Sequence, residues 1–358
     1  MSNRSYKVFA VVAILAILLQ GCDRIGQSDG RRVRVNLAAV ETRTLVTTTA
    51  TLEASGRFVM NAFLEDPSKD FTKDPAENVD QSYIISDGGA NVIMDAGEWR
   101  ISDDPTWVAG TNTHFWCWHP VAVSGSRNIS TLTKDSRKLE FTYTMPVGDG
   151  THTTDADVTD DLIFAYSKKN YKDGDDEYIS IRFHHALSQI RFCVSIDDGT
   201  FDRNLTIKNI TLSGLNNYGS AVFSDTGAAG EGTGTFVWSD QTGNATYGQD
   251  YNASFGTSSV AGWNKSTYTK DSHTYTLYTC TDVFFLVPQT LTSSAKAKIV
   301  FNDGLSDLDP VTVDLGTDEW QADKYYTYKI KATTLGRDIL LSLSLEDWSD
   351  RDERIFIL

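Results

Sequence analysis

Apolar side chains in this chain recur at every second position in short runs, and turn-forming pairs such as Asp87-Gly88, Asp149-Gly150, Asp173-Gly174, Asp198-Gly199 and Asp303-Gly304 separate the runs. A period of two puts successive side chains on opposite faces of an extended backbone. No window carries the longer period of an amphipathic helix, so the chain reads as all-β. Strands are expected at Val33–Val40, Phe58–Leu64, Tyr83–Ile85, Val92–Met94, Phe115–His119, Leu139–Met145 and Leu162–Tyr166. A second series runs from Ile179–Phe183 through Ile190–Ile196 and Leu205–Leu212 to Tyr325–Lys331 and Ile339–Leu345. A length of 358 residues suits two domains. The pattern predicts two tandem antiparallel β-sandwiches, residues 22–178 and 179–358, with a long loop at 224–272 in the second.

The first 21 residues are a targeting segment, with Arg4 and Lys7 ahead of an apolar run from Val8 to Leu19. That run is shorter than the roughly 20 residues that span a bilayer. Leu19-Gln20-Gly21-Cys22 resembles a bacterial lipobox, in which the Cys22 thiol is acylated and Cys22 becomes the mature N-terminus. Buried acyl methylenes contribute about 0.8 kcal/mol each, enough for several chains to hold a protein on a membrane. Cys117, Cys193 and Cys280 then remain, an odd number without zinc-site spacing, and are expected as buried thiols. A formal net charge of −16 excludes a nucleic-acid binder, since phosphate neutralisation needs clustered Lys and Arg.

Chemistry-bearing clusters are sparse. His184 and His185 are adjacent on a predicted strand, so they point to opposite faces and share no ion. In Phe115-Trp116-Cys117-Trp118, the two Trp occupy one face and Phe115 and Cys117 the other, as in a core strand. The acidic stretch Asp173 to Glu177 lacks the spacing of an EF-hand loop and reads as a solvated hairpin tip, and in the acidic run Asp155, Asp157, Asp160 and Asp161 a carboxylate pair for glycoside hydrolysis is outweighed by a chance pair among many acids. With no nucleophile elbow, phosphate loop or dinucleotide fingerprint, no enzyme, metal or cofactor is expected. The segment 224–272 carries Trp238, Tyr247, Tyr251 and Trp263, rings that either pin it to its own domain or stack on a glycan or host protein.

Several ordered motifs carry a family resemblance. They are the lipobox at Cys22, Glu41-Thr42-Arg43-Thr44 before Gly56-Arg57-Phe58, and Phe183-His184-His185-Ala186-Leu187-Ser188-Gln189-Ile190. Downstream come Phe285-Leu286-Val287-Pro288-Gln289-Thr290-Leu291, the run Trp320 to Tyr328, and Asp347-Trp348. In this order the chain resembles the fimbrillin-like (Mfa-like) lipoproteins of the Bacteroidales. The resemblance implies transthyretin-like sandwiches, an outer-membrane lipid anchor, a cell-surface location and assembly with other fimbrial subunits. It also implies that an arginine-specific protease removes the first strand, whose inward positions are Val33, Val35, Leu37 and Ala39, and that a strand from another subunit replaces it. By position the cleavage point is Arg43, since Arg34 lies within the strand and Arg57 opens the next. The implied donor strand is Ile355, Phe356, Ile357 and Leu358, a short apolar end behind five consecutive charges, which leaves a tip or anchor subunit as an alternative. A second alternative is a lipid-anchored adhesin that binds glycan or host protein and never polymerises. Replacing Cys22 by Ser should abolish fatty-acid labelling and move the protein from the detergent phase to the aqueous phase; persistent labelling would refute the lipobox.

Overall fold

The structure, a computed structural model, describes residues 28–40, 57–65, 83–119, 128–134, 138–145, 161–196, 205–224, 234–255, 260–270, 272–335 and 338–347. Every named element among them is a strand. The first eleven are β1 (Ser28–Arg32), β2 (Arg34–Val40), β3 (Arg57–Leu64), β4 (Tyr83–Asp95), β5 (Glu98–Ile101), β6 (Thr106–Val108), β7 (Asn112–His119), β8 (Asn128–Lys134), β9 (Lys138–Thr144), β10 (Ile163–Asn170) and β11 (Tyr178–His185). There follow β12 (Ser188–Ile196), β13 (Thr206–Leu215), β14 (Tyr218–Ser224), β15 (Thr235–Thr242), β16 (Ala245–Ser254), β17 (Trp263–Lys270), β18 (His273–Cys280) and β19 (Phe284–Leu286). The last are β20 (Gln289–Thr290), β21 (Lys296–Asn302), β22 (Val311–Asp314), β23 (Glu319–Trp320), β24 (Tyr325–Leu335) and β25 (Asp338–Asp347).

Seven strands close into a barrel in the order β10-β11-β2-β5-β4-β3-β7. Its interior is set by alternation. On β7, Phe115 and Cys117 enter the barrel core with Phe58, Met60 and Ala62 of β3 and Ile163 and Ala165 of β10. The intervening residues Trp116, Trp118, Val59, Phe63, Phe164 and Tyr166 face outward into a second, larger core. A four-stranded sheet, β15-β14-β9-β8, covers that outer face. Two further sheets, one built on β17-β18-β12-β24-β25 and the other β16-β13-β21-β22, enclose the rest of the larger core.

Phe223 on β14 is the point where the layers meet. Its ring stacks on Phe236 at 4.7 Å and meets Trp116 edge-on at 6.0 Å, with Phe164 at 6.2 Å and His184 at 6.0 Å. Gly219 on the same strand makes room for Trp238, because a Cβ there would lie 2.8 Å from the indole Cε3. The Trp238 Nε1–H donates to Ala186 O at 2.9 Å, tying β15 to the start of β12.

Three expectations change. Residues 224–272 are not one long loop but hold β15, β16 and β17, strands rich in Thr, Ser, Asn and Gly that lack a continuous apolar alternation. β15 in particular has no fully buried position, so period two is invisible in its hydropathy. Asp87-Gly88 lies inside β4, opposite a shift of register in the β3 ladder, and marks a bulge rather than a hairpin. The hairpin between β4 and β5 uses Ala96-Gly97, both with positive φ (52° and 85°), as a two-residue turn matched to strand twist demands. Finally, the ladders β11–β2 and β12–β24 are parallel, where antiparallel pairing was expected throughout. Alternation specifies which face a side chain takes and carries nothing about strand direction.

Ile179–Phe183, expected to open the second domain, lies in β11, which pairs with β2 and β10 inside the barrel. The sheet β15-β14-β9-β8 likewise joins strands from both sides of residue 178. Replacing Phe223 by Ala should lower stability by about 3–5 kcal/mol, the usual cost of deleting a buried ring. Denaturant unfolding followed by tryptophan fluorescence would read it; an unchanged midpoint would rule out a shared core at this residue.

Candidate functional site

The first described segment, residues 28–40, is fastened at two places. β1 pairs with β6, Ser28 opposite Val108 and Arg32 opposite Thr106. At Val33 the chain crosses into the barrel, where the Val33 N–H donates to Pro105 O at 2.8 Å. β2 then runs parallel to β11 in a register of six pairs, from Arg34 opposite Tyr178 to Val40 opposite Phe183, with one irregularity after Ile181. Against β5 it shares only one registered pair, Val35 opposite Trp99.

Alternation decides what this segment buries. Val33 and Val35 point inward and keep 5% and 4% of their surface, while Leu37 is partly buried at the core's edge. Full burial of a valine contributes about 1.5–3 kcal/mol, so the pair contributes several kcal/mol besides the ladder hydrogen bonds. Their inner neighbours are Trp99, Ile179, Ile181 and Phe183. The outward positions Arg34 and Asn36 are exposed.

Arg34 is held from several directions. Its N–H donates to Glu177 O at 3.0 Å, its Nε lies 3.2 Å from Glu177 Oε2, and its guanidinium sits 6.0 Å from the centre of the Tyr178 ring. A hydrogen bond with Tyr178, with Glu177 adding attraction, raises the guanidinium above its ordinary pKa. The Glu177 carbonyl also accepts from Trp107 Nε1 at 3.0 Å, so one carbonyl fixes both β2 and the core ring of β6. Next along the chain, Arg32 pairs with Asp104 at 3.0 Å. Both ion pairs are largely exposed and act as positional latches more than as sources of stability.

Between β2 and β5 the surface opens into a cleft of about 640 Å³, walled by Arg32–Leu37 on one side and Gly97–Ser102 on the other, with Ile93, Met94 and Tyr178 at the rim. Sequence reasoning placed Val33, Val35 and Leu37 correctly on one face and missed Trp99, Pro105, Glu177 and Tyr178. Their partnership depends on barrel closure, and no local pattern announces it.

The other candidate residues are dispersed. Ala39 lies on β2, whereas Cys22, Arg43 and Ile355 to Leu358 lie outside the described residues. Tyr247 and Trp263 are buried in the larger core at 1% and 6% exposure. Trp263 meets Phe255 edge-on at 5.0 Å and Tyr251 at 5.5 Å, and the Tyr251 hydroxyl donates to Gln249 Oε1 at 2.7 Å. Trp238 packs separately against Phe141 and Gly219. These rings face the protein's own interior, and the four form no common platform.

His184 and His185 do point apart. His184 Nε2 lies 3.4 Å from the Gly234 N–H at the start of β15, while His185 Nδ1 is hydrogen-bonded to buried Asp161. Cys117, Cys193 and Cys280 are free and buried, and burial pushes the Cys117 and Cys280 thiols well up. In the acidic turn, Lys169 binds Asp176 at 2.6 Å, and that hydrogen bond lowers the Asp176 pKa. Among the described residues no group of three or more His, Cys, Asp or Glu converges as metal ligands would.

Residues 46–348 match the family model described as fimbrillin-like. No curated protein sequence matches the chain. Solved structures are similar along most of its length. A candidate cell adhesion protein from Bacteroides ovatus is 14% identical, with 90% of this chain and 98% of that one covered and a TM-score of 0.48. A candidate cell adhesion protein from Bacteroides uniformis is also 14% identical, with 90% and 100% covered and a TM-score of 0.45. The fimbrial anchor protein Mfa2 from Porphyromonas gingivalis is 13% identical, with 89% and 98% covered and a TM-score of 0.35.

Replacing Val35 by Ala should weaken the hold on β2 by roughly 1–3 kcal/mol. Hydrogen exchange would show it as faster exchange at β11 amides with the β12–β24 ladder unchanged; equal acceleration in both ladders would contradict a local effect.

Proposed function

The chain belongs to the fimbrillin-like family, and from that premise we propose that it is a structural subunit of a cell-surface fimbria. Family membership accounts for a non-enzymatic surface and adhesion role and for association with other fimbrial subunits. The finer reading is that the chain is exported as a lipoprotein anchored through Cys22 and cut after Arg43 by an arginine-specific protease. It then assembles by exchanging β2 for a strand of another subunit. Two transthyretin-like units, the first carrying the removable strand, belong to the same reading.

The observation that supports it most is how β2 is built into the barrel. It supplies Val35 to the core, with Val33 entering just before it, and occupies the position beside β11. Its departure would leave the β11 backbone from Tyr178 to Phe183 without a ladder and an apolar slot beside Trp99, Ile179 and Ile181. Unpaired strand edges next to apolar grooves recruit strands, because one incoming segment satisfies both. The match to the family model begins at residue 46, beyond β2 and Arg43, which fits a strand separable from the body of the protein.

Adhesion through the aromatic segment has less support, since Tyr247 and Trp263 are spent on packing. A tip or anchor position would use the same acceptor slot and differ in what is donated.

Treating the precursor with an arginine-specific protease should yield a new N-terminus at Thr44 and a ladder of multimers on native gels. In the Arg43→Ala protein, cleavage and multimers should both be lost. A cut protein that stays monomeric at all concentrations would defeat the polymerising role.

A further inference from the structure

Arg31 and Arg32 close β1 and Arg34 opens β2, all three with exposed side chains. The residues that follow Arg32 and Arg34 are Val33 and Val35, the two valines buried in the barrel core. A protease that reads the arginine must also take the backbone on both sides of the scissile bond as an extended segment, and a strand already seated is not available to it. Here the N–H of the Arg32–Val33 bond donates to Pro105 O at 2.8 Å, and Arg32 lies opposite Thr106 with its guanidinium on Asp104. The Arg34 N–H donates to Glu177 O and its side chain is held by the Glu177 carboxylate. Neither bond enters a protease cleft until Val33 and Val35 have left the core. We propose that Arg31, Arg32 and Arg34 are second-stage cleavage sites, sheltered while β1 and β2 are seated and cut once the segment has been expelled, so that it cannot return. The inference rests on the strand-exchange reading above and adds what makes the exchange one-way.

Each cut is a hydrolysis by the same arginine-specific protease. Water adds across the peptide C–N bond as it breaks, its hydroxyl going to the arginine carbonyl carbon and its hydrogen to the nitrogen of the next residue. The places of the cuts decide their effect. After Arg34 is cut, the piece from Val35 to Arg43 keeps Val35 and Leu37 but has lost Val33, the Arg34 contacts with Glu177 and Tyr178, and the β1–β6 pairs. Loss of the Val33 burial alone weakens its return by about tenfold or more. Once the backbone is open at Arg43 the segment competes for its slot as a separate molecule, so its concentration sets the balance and its destruction removes the competitor. Arg57 provides the contrast. It opens β3 as an exposed side chain ahead of fully buried Phe58, but β3 is paired with β4 and β7 on its two sides and is no part of the exchanged segment. Its bond stays sheltered throughout, because proteolysis of a folded chain follows the population of the opened state.

The test separates the two stages. Asn36 and Ser180 are opposite each other in the parallel register, so Asn36→Cys with Ser180→Cys places a disulfide that holds β2 on β11. Cys117, Cys193 and Cys280 are buried and stay out of this pairing. The full-length double variant is treated with an arginine-specific protease, oxidised or reduced, and its peptides are followed by mass spectrometry beside native gels. The oxidised protein should be cut after Arg43 and not after Arg32 or Arg34. Reduction should release the multimer ladder together with peptides ending at Arg32 and Arg34, with Arg57 uncut in both. In a second full-length protein, Arg31→Lys, Arg32→Lys and Arg34→Lys keep the charge and remove the sites; its multimers should level off several-fold lower, and restoring Arg34 alone should recover the yield. If the reduced protein multimerises while its segment is recovered whole, second-stage cleavage is wrong and strand exchange stands. Cutting of the oxidised protein after Arg34 as fast as after Arg43 would refute the shelter, and an equal yield from the lysine protein would refute the one-way role. If the reduced protein remains monomeric, strand exchange itself fails and this proposal falls with it.

Discussion

Closure of the barrel rests on the ladder between β2 and β11. Six registered pairs hold the two strands in parallel, and Val33 and Val35 fill the slot they create. Parallel neighbours need a long crossover between them, and here most of the N-terminal region, β3 through β10, lies between the two strands in sequence. The contact is therefore non-local: among the described residues the ladder partners of β2 are β11 and β5, both distant in the sequence. Such a strand contributes Val35 to the barrel core and is held by partners that lie far from it in the sequence.

β11 carries a second load beyond its pairing with β2. Its last residues, His184 and His185, leave the β2 ladder and pair with Phe164 and Ile163 of β10. His185 reaches the buried Asp161 carboxylate, whose other oxygen accepts from the Leu162 N–H at 2.8 Å. His184 meets the backbone of Gly234, and Ala186 O, two residues on, accepts from Trp238. The motif from Phe183 to Ile190 is thus a junction. It gives the two buried histidines polar partners on opposite faces while the chain passes from barrel to larger core, as buried polar groups require. The run from Trp320 to Tyr328 is organised similarly: Trp320 Nε1 donates to the Tyr328 hydroxyl, which donates to Leu315 O.

Much of this was legible because burial follows period two. The faces of β3 and β7 read correctly: Phe58, Met60 and Ala62 share the barrel core, and Trp116 and Trp118 share the outer one. β15 to β17 were misread because their inward positions include polar or small residues such as Gln249, Ala245 and Ala253, while an apolar residue, Val237 on β15, is 66% exposed, so hydropathy does not follow the burial pattern. Asp87-Gly88 and Ala96-Gly97 show the same limit for turns. The first is a hairpin signal that the β3–β4 register turns into part of a bulge, and the second, with an alanine at positive φ, is made a hairpin by the β4–β5 ladder.

What the sequence determined by itself was local: an all-β chain, the inward face of each apolar strand, an acidic surface, and a first strand with Val33, Val35 and Leu37 on one side. These follow from side-chain chemistry at a fixed spacing along an extended backbone. Tertiary structure decided the rest. It made β2 parallel to β11, opened a cleft against β5, gave Arg34 its Glu177 and Tyr178 partners, and turned four aromatic side chains inward. Each of these joins residues far apart in the chain, and which distant strands become neighbours is fixed by packing of the whole core rather than by any pattern within a single strand.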